Sequence, residues 1–164
     1  MKIYIASPLG FTESTRNFYE TKLIRVIKDL GHDVLDPWSL TDSRKIEAAK
    51  KLPYGSERRN KWKRLNAEIG DNNRNAIDIC DVVLAVLDGV DVDSGTASEI
   101  GYAFAKGKPI VGYRGDLRLS SDNEGCVVNL QVEYFIRKSG GVLVFKIADL
   151  PTAFKRVVKV VRYS

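Results

Sequence analysis

The sequence predicts a single α/β domain with a mainly parallel, five-stranded sheet and helices on both faces. Three observations carry this. Short apolar runs alternate with helical patterns along the chain, which is the mark of a βα repeat and hence of a parallel sheet. The run Val82-Val83-Leu84-Ala85-Val86-Leu87 does not alternate polar with apolar, as expected of a strand buried on both faces, and this places it in the middle of the sheet. A chain of 164 residues with 44% hydrophobic content is long enough for one real core and too short for two ordinary domains.

The first strand is read at Lys2 to Ala6, followed by a helix from Glu13 to Leu30. Phe18, Leu23, Val26, Ile27 and Leu30 give that helix its apolar face, and Gly31 supplies a C-terminal stop. A short strand, Asp33 to Leu35, precedes two helical stretches that end at Ile79. The central strand, Asp81 to Leu87, leads through an acidic segment into a helix over Ser94 to Lys106. Next come a strand at Pro109 to Tyr113, a loop from Arg114 to Val128 rich in Gly, Asp, Asn and Ser, and a strand at Val142 to Phe145. The last helix, Leu150 to Val161, carries Phe154, Val157, Val158 and Val161 at helical spacing, with Lys155, Arg156, Lys159 and Arg162 outward. Two segments exceed a minimal βα repeat: the charged stretch Thr41 to Arg64, broken by Pro53-Tyr54-Gly55, and the loop Arg114 to Val128. Long connections of this kind are expected to be lids or contacts.

Composition narrows the class. No stretch approaches the roughly 20 apolar residues of a membrane-spanning helix, and the apolar run at the N-terminus is too short for a signal peptide, so a cytoplasmic protein without a membrane partner is expected. Cys80 and Cys126 show neither disulfide nor metal spacing and are read as reduced thiols. The net charge of +5 is concentrated in the stretch from Arg44 to Arg64 and in the last helix. Such runs read as solvated helix faces, and nucleic acid is not an expected partner. The sequence has no Walker A motif, no glycine-rich dinucleotide fingerprint after the first strand, no HExxH and a single histidine. These absences argue against NTP hydrolysis, hydride transfer and zinc catalysis. His32, at the turn into the second strand, lies opposite the edge where ligands bind, and no metal or cofactor is expected.

Ligands in open α/β sheets bind outside the carboxyl ends of the strands. This directs attention to Ser7 to Phe11, to Asp36-Pro37-Trp38, to Asp88 to Glu99 and to the residues after Tyr113. The densest segment is Asp88 to Ala103, with four carboxylates, three aspartates and Glu99, around a helix start. Asp93 or Ser94 can cap that helix. Ala97, Ile100, Gly101 and Phe104 share its core face, which leaves Glu99 to one side, one turn in, where the positive helix end is expected to hold it ionised. An ionised carboxylate beside an anomeric carbon stabilises an oxocarbenium-like transition state and then bonds to it.

These residues resemble the nucleoside 2-deoxyribosyltransferase family, which has a flavodoxin-like α/β fold. The likeness rests on Ile3-Tyr4-Ile5-Ala6-Ser7-Pro8, on Asp81-Val82-Val83-Leu84-Ala85, on the signature Asp93-Ser94-Gly95-Thr96-Ala97-Ser98-Glu99-Ile100-Gly101-Tyr102-Ala103, and on Asn129-Leu130. The resemblance implies that Glu99 is the nucleophile attacking C1' and that Tyr4 orients its carboxylate. It implies that Asp93 grips the sugar 5'-hydroxyl, a position where relatives acting on 5'-monophosphates carry Ser. It implies that Asn73 faces the base, where some members have an Asp, and that Asn129 is donated into the neighbouring subunit's site of a dimer-based homo-oligomer. Ser7 and Phe11 complete the expected substrate contacts, with Phe11 and Trp38 available to stack on the base. The stretch from Arg58 to Arg64 departs from the shorter family pattern.

The leading expectation is exchange of the 2-deoxyribosyl group between nucleobases, with retention, on 2'-deoxynucleosides and free bases as partners. The alternatives are hydrolysis of a deoxynucleoside or its 5'-monophosphate by water intercepting the same intermediate, and a non-catalytic nucleoside sensor.

Overall fold

The five apolar runs pair into one sheet. The computed structural model describes residues 1–163, with side chains described as far as Val157. The strands β1 (Lys2–Ala6), β2 (Asp33–Leu35), β3 (Val82–Val86), β4 (Ile110–Tyr113) and β5 (Val142–Val144) lie in the order β2-β1-β3-β4-β5, and every neighbouring pair is parallel. This is the flavodoxin-like order, with β3 in the middle. The chain direction across the sheet reverses between β1 and β3, so a crevice opens beyond their carboxyl ends.

Because side chains alternate along a strand, each strand feeds two cores. Ile3, Ile5, Val82, Leu84 and Val86 pack with Tyr19, Leu23 and Ile27 and with Phe154 and Val157. Tyr4, Ala6, Val83 and Ala85 point to the other face, against Ala76, Ile77, Ile100, Ala103, Val132 and Ile136. Helices therefore cover both faces. Gly141 is required where β5 begins, because a Cβ there would lie 1.7 Å from the Ile110 carbonyl oxygen.

The helix expected at Glu13 to Leu30 is interrupted. It consists of α1 (Glu13–Phe18), a π turn (Tyr19–Leu23) and α2 (Ile24–Asp29). The widened turn brings Tyr19, Leu23 and Ile27 fully inward and leaves Phe18, Val26 and Leu30 at the margin. The charged stretch from Thr41 holds the two expected helical stretches, folded as a hairpin of α3 (Ser43–Lys50) and α4 (Ser56–Ile79). After α5 (Ser94–Ala105), the chain forms α6 (Leu130–Lys138), a helix that the sequence reading passes over, and ends in α7 (Leu150–Tyr163). Val158, Val161, Lys159 and Arg162, assigned to faces of the last helix from the sequence, lie outside the described side chains.

The loop between β4 and α6 is irregular yet fastened at both ends. At its start the Arg114 side chain, 1% exposed, donates to the carbonyls of Leu87, Gly89 and Arg118. Asp88 Oδ1 accepts from the backbone N–H groups of Gly115 at 2.6 Å and Asp116 at 3.0 Å. At its end Glu133, buried on α6, accepts from Val127 N at 2.8 Å and pairs with Arg137 at 2.7 Å. Among the described residues no helix is long and apolar enough to cross a membrane.

Candidate active site

The site forms where α5 starts beyond the carboxyl end of β3. Asp93 has extended backbone geometry, and its Oδ2 accepts from Thr96 N at 3.0 Å and from Thr96 Oγ1 at 3.3 Å. This is the N-cap arrangement that satisfies an orphan donor of the first turn. Of the two cap candidates, Asp93 takes the role. The buried face of the helix is Thr96, Ile100 and Ala103. Ala97 is only half-buried, while Gly101 and Phe104 turn toward Phe135 of α6. The core stripe is thus rotated from the expected one, because α6 covers part of the helix that a bare sheet would leave open.

Glu99 sits on the flank of α5 facing β1. Tyr4 projects from β1 on that same face, fully buried, and its hydroxyl donates to Glu99 Oε1 at 2.6 Å. Asn73, on α4, donates from Nδ2 to the same oxygen at 3.5 Å. Both contacts fall on Oε1, so Oε2 is the oxygen without a partner among the described residues.

The electrostatics differ from the sequence expectation. Glu99 is pushed up to about 7, first by burial and further by the nearby Asp93 charge, with the Tyr4 hydrogen bond acting in the opposite direction. Glu99 is the sixth residue of α5, beyond the orphan N–H groups of the first turn, so desolvation outweighs the helix end. The Tyr4 phenol is held far above its ordinary range, by burial first and then by the Glu99 charge. It therefore acts as a hydrogen-bond donor and not as a phenolate.

Around Glu99 lies a cavity of about 460 Å³. Its lining combines polar Ser7, Asn73, Asp93 and Glu99 with apolar Phe11, Pro37, Trp38, Ile46 and Ile69. Phe11 meets Trp38 edge to face, with centroids 4.6 Å apart at 85°. Asp36 holds the Trp38 turn: its Oδ1 accepts from Trp38 N at 3.0 Å and from the buried Tyr19 hydroxyl at 2.6 Å. Gly10 makes room for the indole, since a Cβ at that position would come within 2.3 Å of the ring.

Five of the residues expected from the sequence, Ser7, Phe11, Asn73, Asp93 and Glu99, line this cavity, and Tyr4 supports Glu99 from beneath. Asn129 does not line it. Its Oδ1 caps α6, accepting from Gln131 N at 3.0 Å and Val132 N at 3.3 Å. The reading from sequence missed Thr41, Ile46 and Ile69. Ile46 and Ile69 stand alone among charged neighbours, a weak signal that becomes visible only once α3 and α4 are folded against each other. His32 packs edge-on to Phe154 at 5.9 Å, on the other face of the sheet. Among the described residues no group of three or more His, Cys, Asp or Glu side chains is placed to hold a metal.

Comparison with known proteins adds an independent line. The family model described as nucleoside 2-deoxyribosyltransferase matches residues 3–131. A conserved protein from Enterococcus faecalis V583, solved as a crystal structure, is 26% identical with a TM-score of 0.66, over 95% of this chain and 98% of that one. A 2-deoxyribosyltransferase from Bacillus psychrosaccharolyticus is likewise 26% identical, with a TM-score of 0.59 over 92% of this chain and 90% of that one. An uncharacterised protein of Schizosaccharomyces pombe is 25% identical over 96% of this chain and 86% of its own length.

Proposed function

The chain belongs to the nucleoside 2-deoxyribosyltransferase family, and from that premise we propose that it exchanges the 2-deoxyribosyl group between nucleobases through an ester on Glu99. The observation that supports this most strongly is the Tyr4–Glu99 pair, at 2.6 Å, with Glu99 lining a cavity that offers both polar and apolar side chains. A deoxynucleoside has the same mixed character. Its sugar would lie against Asp93 and Ser7, with C1' over Glu99 Oε2, and its base against Phe11 and Trp38.

In the first half-reaction Glu99 Oε2 bonds to C1' as the C1'–N bond breaks, and the electron pair leaves with the base. Asn73 is an amide and has no proton to give, so the departing base takes its proton from water. In the second half-reaction a ring nitrogen of the incoming base gives up its proton to the hydroxide left by the first step and attacks C1' from the face the first base left, the ester breaks, and the configuration is retained. Tyr4 holds Oε1, which keeps the carboxylate plane fixed while Oε2 moves onto carbon. Lack of a 2'-hydroxyl makes the glycosidic bond more labile, which favours deoxynucleosides. Asp93 has its Oδ1 free for a 5'-hydroxyl, since Oδ2 serves the helix cap. The same charge would repel a 5'-phosphate.

The complete site belongs to an oligomer in this reading. Asn129 lies outside its own chain's cavity and uses only Oδ1 for the cap, so its Nδ2 remains to reach a sugar in the partner's pocket. Leu117, Leu119, Leu130 and Tyr134, exposed on the preceding loop and the start of α6, supply apolar area for a second copy.

Glu99→Ala tests the mechanism. The variant should keep its far-ultraviolet spectrum and lose base exchange by at least about 10³-fold, the scale on which catalysis falls when a nucleophile is removed. Acid-quenched wild type given a deoxynucleoside should carry, on the peptide with Glu99, a mass gain equal to nucleoside minus base. An active Glu99→Ala protein would sink this reading.

A further inference from the structure

We infer that the α3–α4 hairpin carries a binding surface for single-stranded nucleic acid, on the face of α4 formed by Tyr54, Arg58, Arg59, Trp62 and Lys63. Residues 44 to 64 hold nine Lys and Arg against two Glu, a net of +7 in a chain whose total is +5. The rest of the protein is therefore slightly acidic, and the positive charge is a local property of this hairpin.

The structure divides that charge between two grooves. One is lined by Lys45, Lys61 and Arg64 together with Glu57 and Glu68, three cations against two carboxylates, with Lys45 paired to Glu68 at 2.6 Å. The other, of about 480 Å³, is lined by the inferred binding residues and has no carboxylate. Among the described residues, none of Arg58, Arg59 and Lys63 takes part in an ion pair. Arg58 instead bonds to the Leu52 carbonyl at 2.9 Å and lies over the Tyr54 ring, 4.3 Å from its centroid. Tyr54 is 92% exposed. Arg58, Arg59, Trp62 and Lys63 fall on one side of the helix by their spacing.

Unopposed cations beside the exposed Tyr54 ring and the half-buried Trp62 ring are what a single strand requires: phosphates meet the charge and unpaired bases stack on the rings. An anionic bilayer would need an apolar helix face to enter it, and this groove offers only two aromatic rings. Nothing in the argument uses Glu99, so the inference stands or falls separately from base exchange.

The test is fluorescence anisotropy of a labelled oligothymidine titrated with the full-length protein across a salt series. With three cations engaged, log Kobs should fall against log salt with a slope of about −2. Arg59→Gln with Lys63→Gln should reduce that slope to about −0.7, one remaining contact, and Trp62→Ala should weaken binding by at least about fivefold. Lys61→Gln with Arg64→Gln, on the groove that also holds Glu57 and Glu68 and has no aromatic ring, should change little, and every variant should retain the wild-type level of base exchange. Absence of binding at low salt, equal losses from the two grooves, or binding to phosphatidylserine vesicles without binding to the oligonucleotide would each overturn the inference.

Discussion

At Glu99 burial and the Asp93 charge raise the carboxyl toward 7 while the Tyr4 hydroxyl lowers it, and each influence has its own signature in a pH profile. The nucleophile must be ionised, so kcat/KM for exchange should fall about tenfold per pH unit below about 7. Tyr4→Phe removes the lowering contact and should move that limb to higher pH. Asp93→Asn removes a repulsion and should move it to lower pH, whatever it also does to KM. Shifts in the same direction would contradict the assignment. The same displacement has a stability cost. A carboxyl whose folded value lies above its unfolded value binds more protons when folded, so stability declines as pH rises from the ordinary carboxylate range through about 7. The penalty is fully present above that point and is on the order of 3 kcal/mol. Glu99→Gln should therefore gain more in thermal midpoint over wild type at pH 8 than at pH 4, and an equal gain at both would argue against a buried, displaced carboxyl.

Among the elements, the two connections that exceed a simple βα repeat have separate roles. The α3–α4 hairpin supplies Thr41, Ile46 and Ile69 to the cavity, and the loop after β4 is fixed by Arg114. Replacing Arg114 by Met would leave the carbonyls of Leu87, Gly89 and Arg118 without their donors. The expected loss is about 2–4 kcal/mol in urea unfolding, and no loss would mean that the guanidinium contacts are not structural. Gly10→Ala would press on the Trp38 indole. It should raise KM for deoxynucleosides severalfold while leaving the pH limb in place, because neither Gly10 nor Trp38 is hydrogen-bonded to Tyr4 or Glu99 and the limb is set by burial, Tyr4 and Asp93. The central strand and the helix that carries Glu99 were legible because their signals are local: the unbroken apolar run from Val82, and the capping aspartate six residues before Glu99. Helix α6 was not, although Asn129 at its cap, Val132 and Ile136 one turn apart and Gly140 beyond its end mark it in retrospect. The preceding Gly- and Asn-rich loop masked that start. The π turn at Tyr19 was hidden too: the Tyr19 hydroxyl there donates to Asp36, a tertiary contact that no local periodicity reports.

For the molecule as a whole, the strand order puts β1 beside β3, and the pleat then sends Tyr4 and not Ile3 toward α5. The Tyr4–Glu99 contact is thus a consequence of topology and side-chain alternation, and it is legible once Tyr4 and Glu99 are both noticed. The displacement of Glu99 toward neutrality was not legible, because desolvation depends on how closely α4 and α5 cover the site. The role of Asn129 belongs to a larger scale still. If it completes a neighbour's pocket, the protein should sediment as an oligomer, and Asn129→Ala should raise KM without dissociating the assembly. A fully active monomer would contradict that placement. The most direct test of the central proposal is incubation of the purified protein with deoxyinosine, with and without adenine, followed by chromatography of the products. Deoxyadenosine formed only when adenine is present, with hypoxanthine released in equal amount, is the predicted result. Hypoxanthine released at the same rate without any acceptor, and no deoxyadenosine in its presence, would contradict transfer.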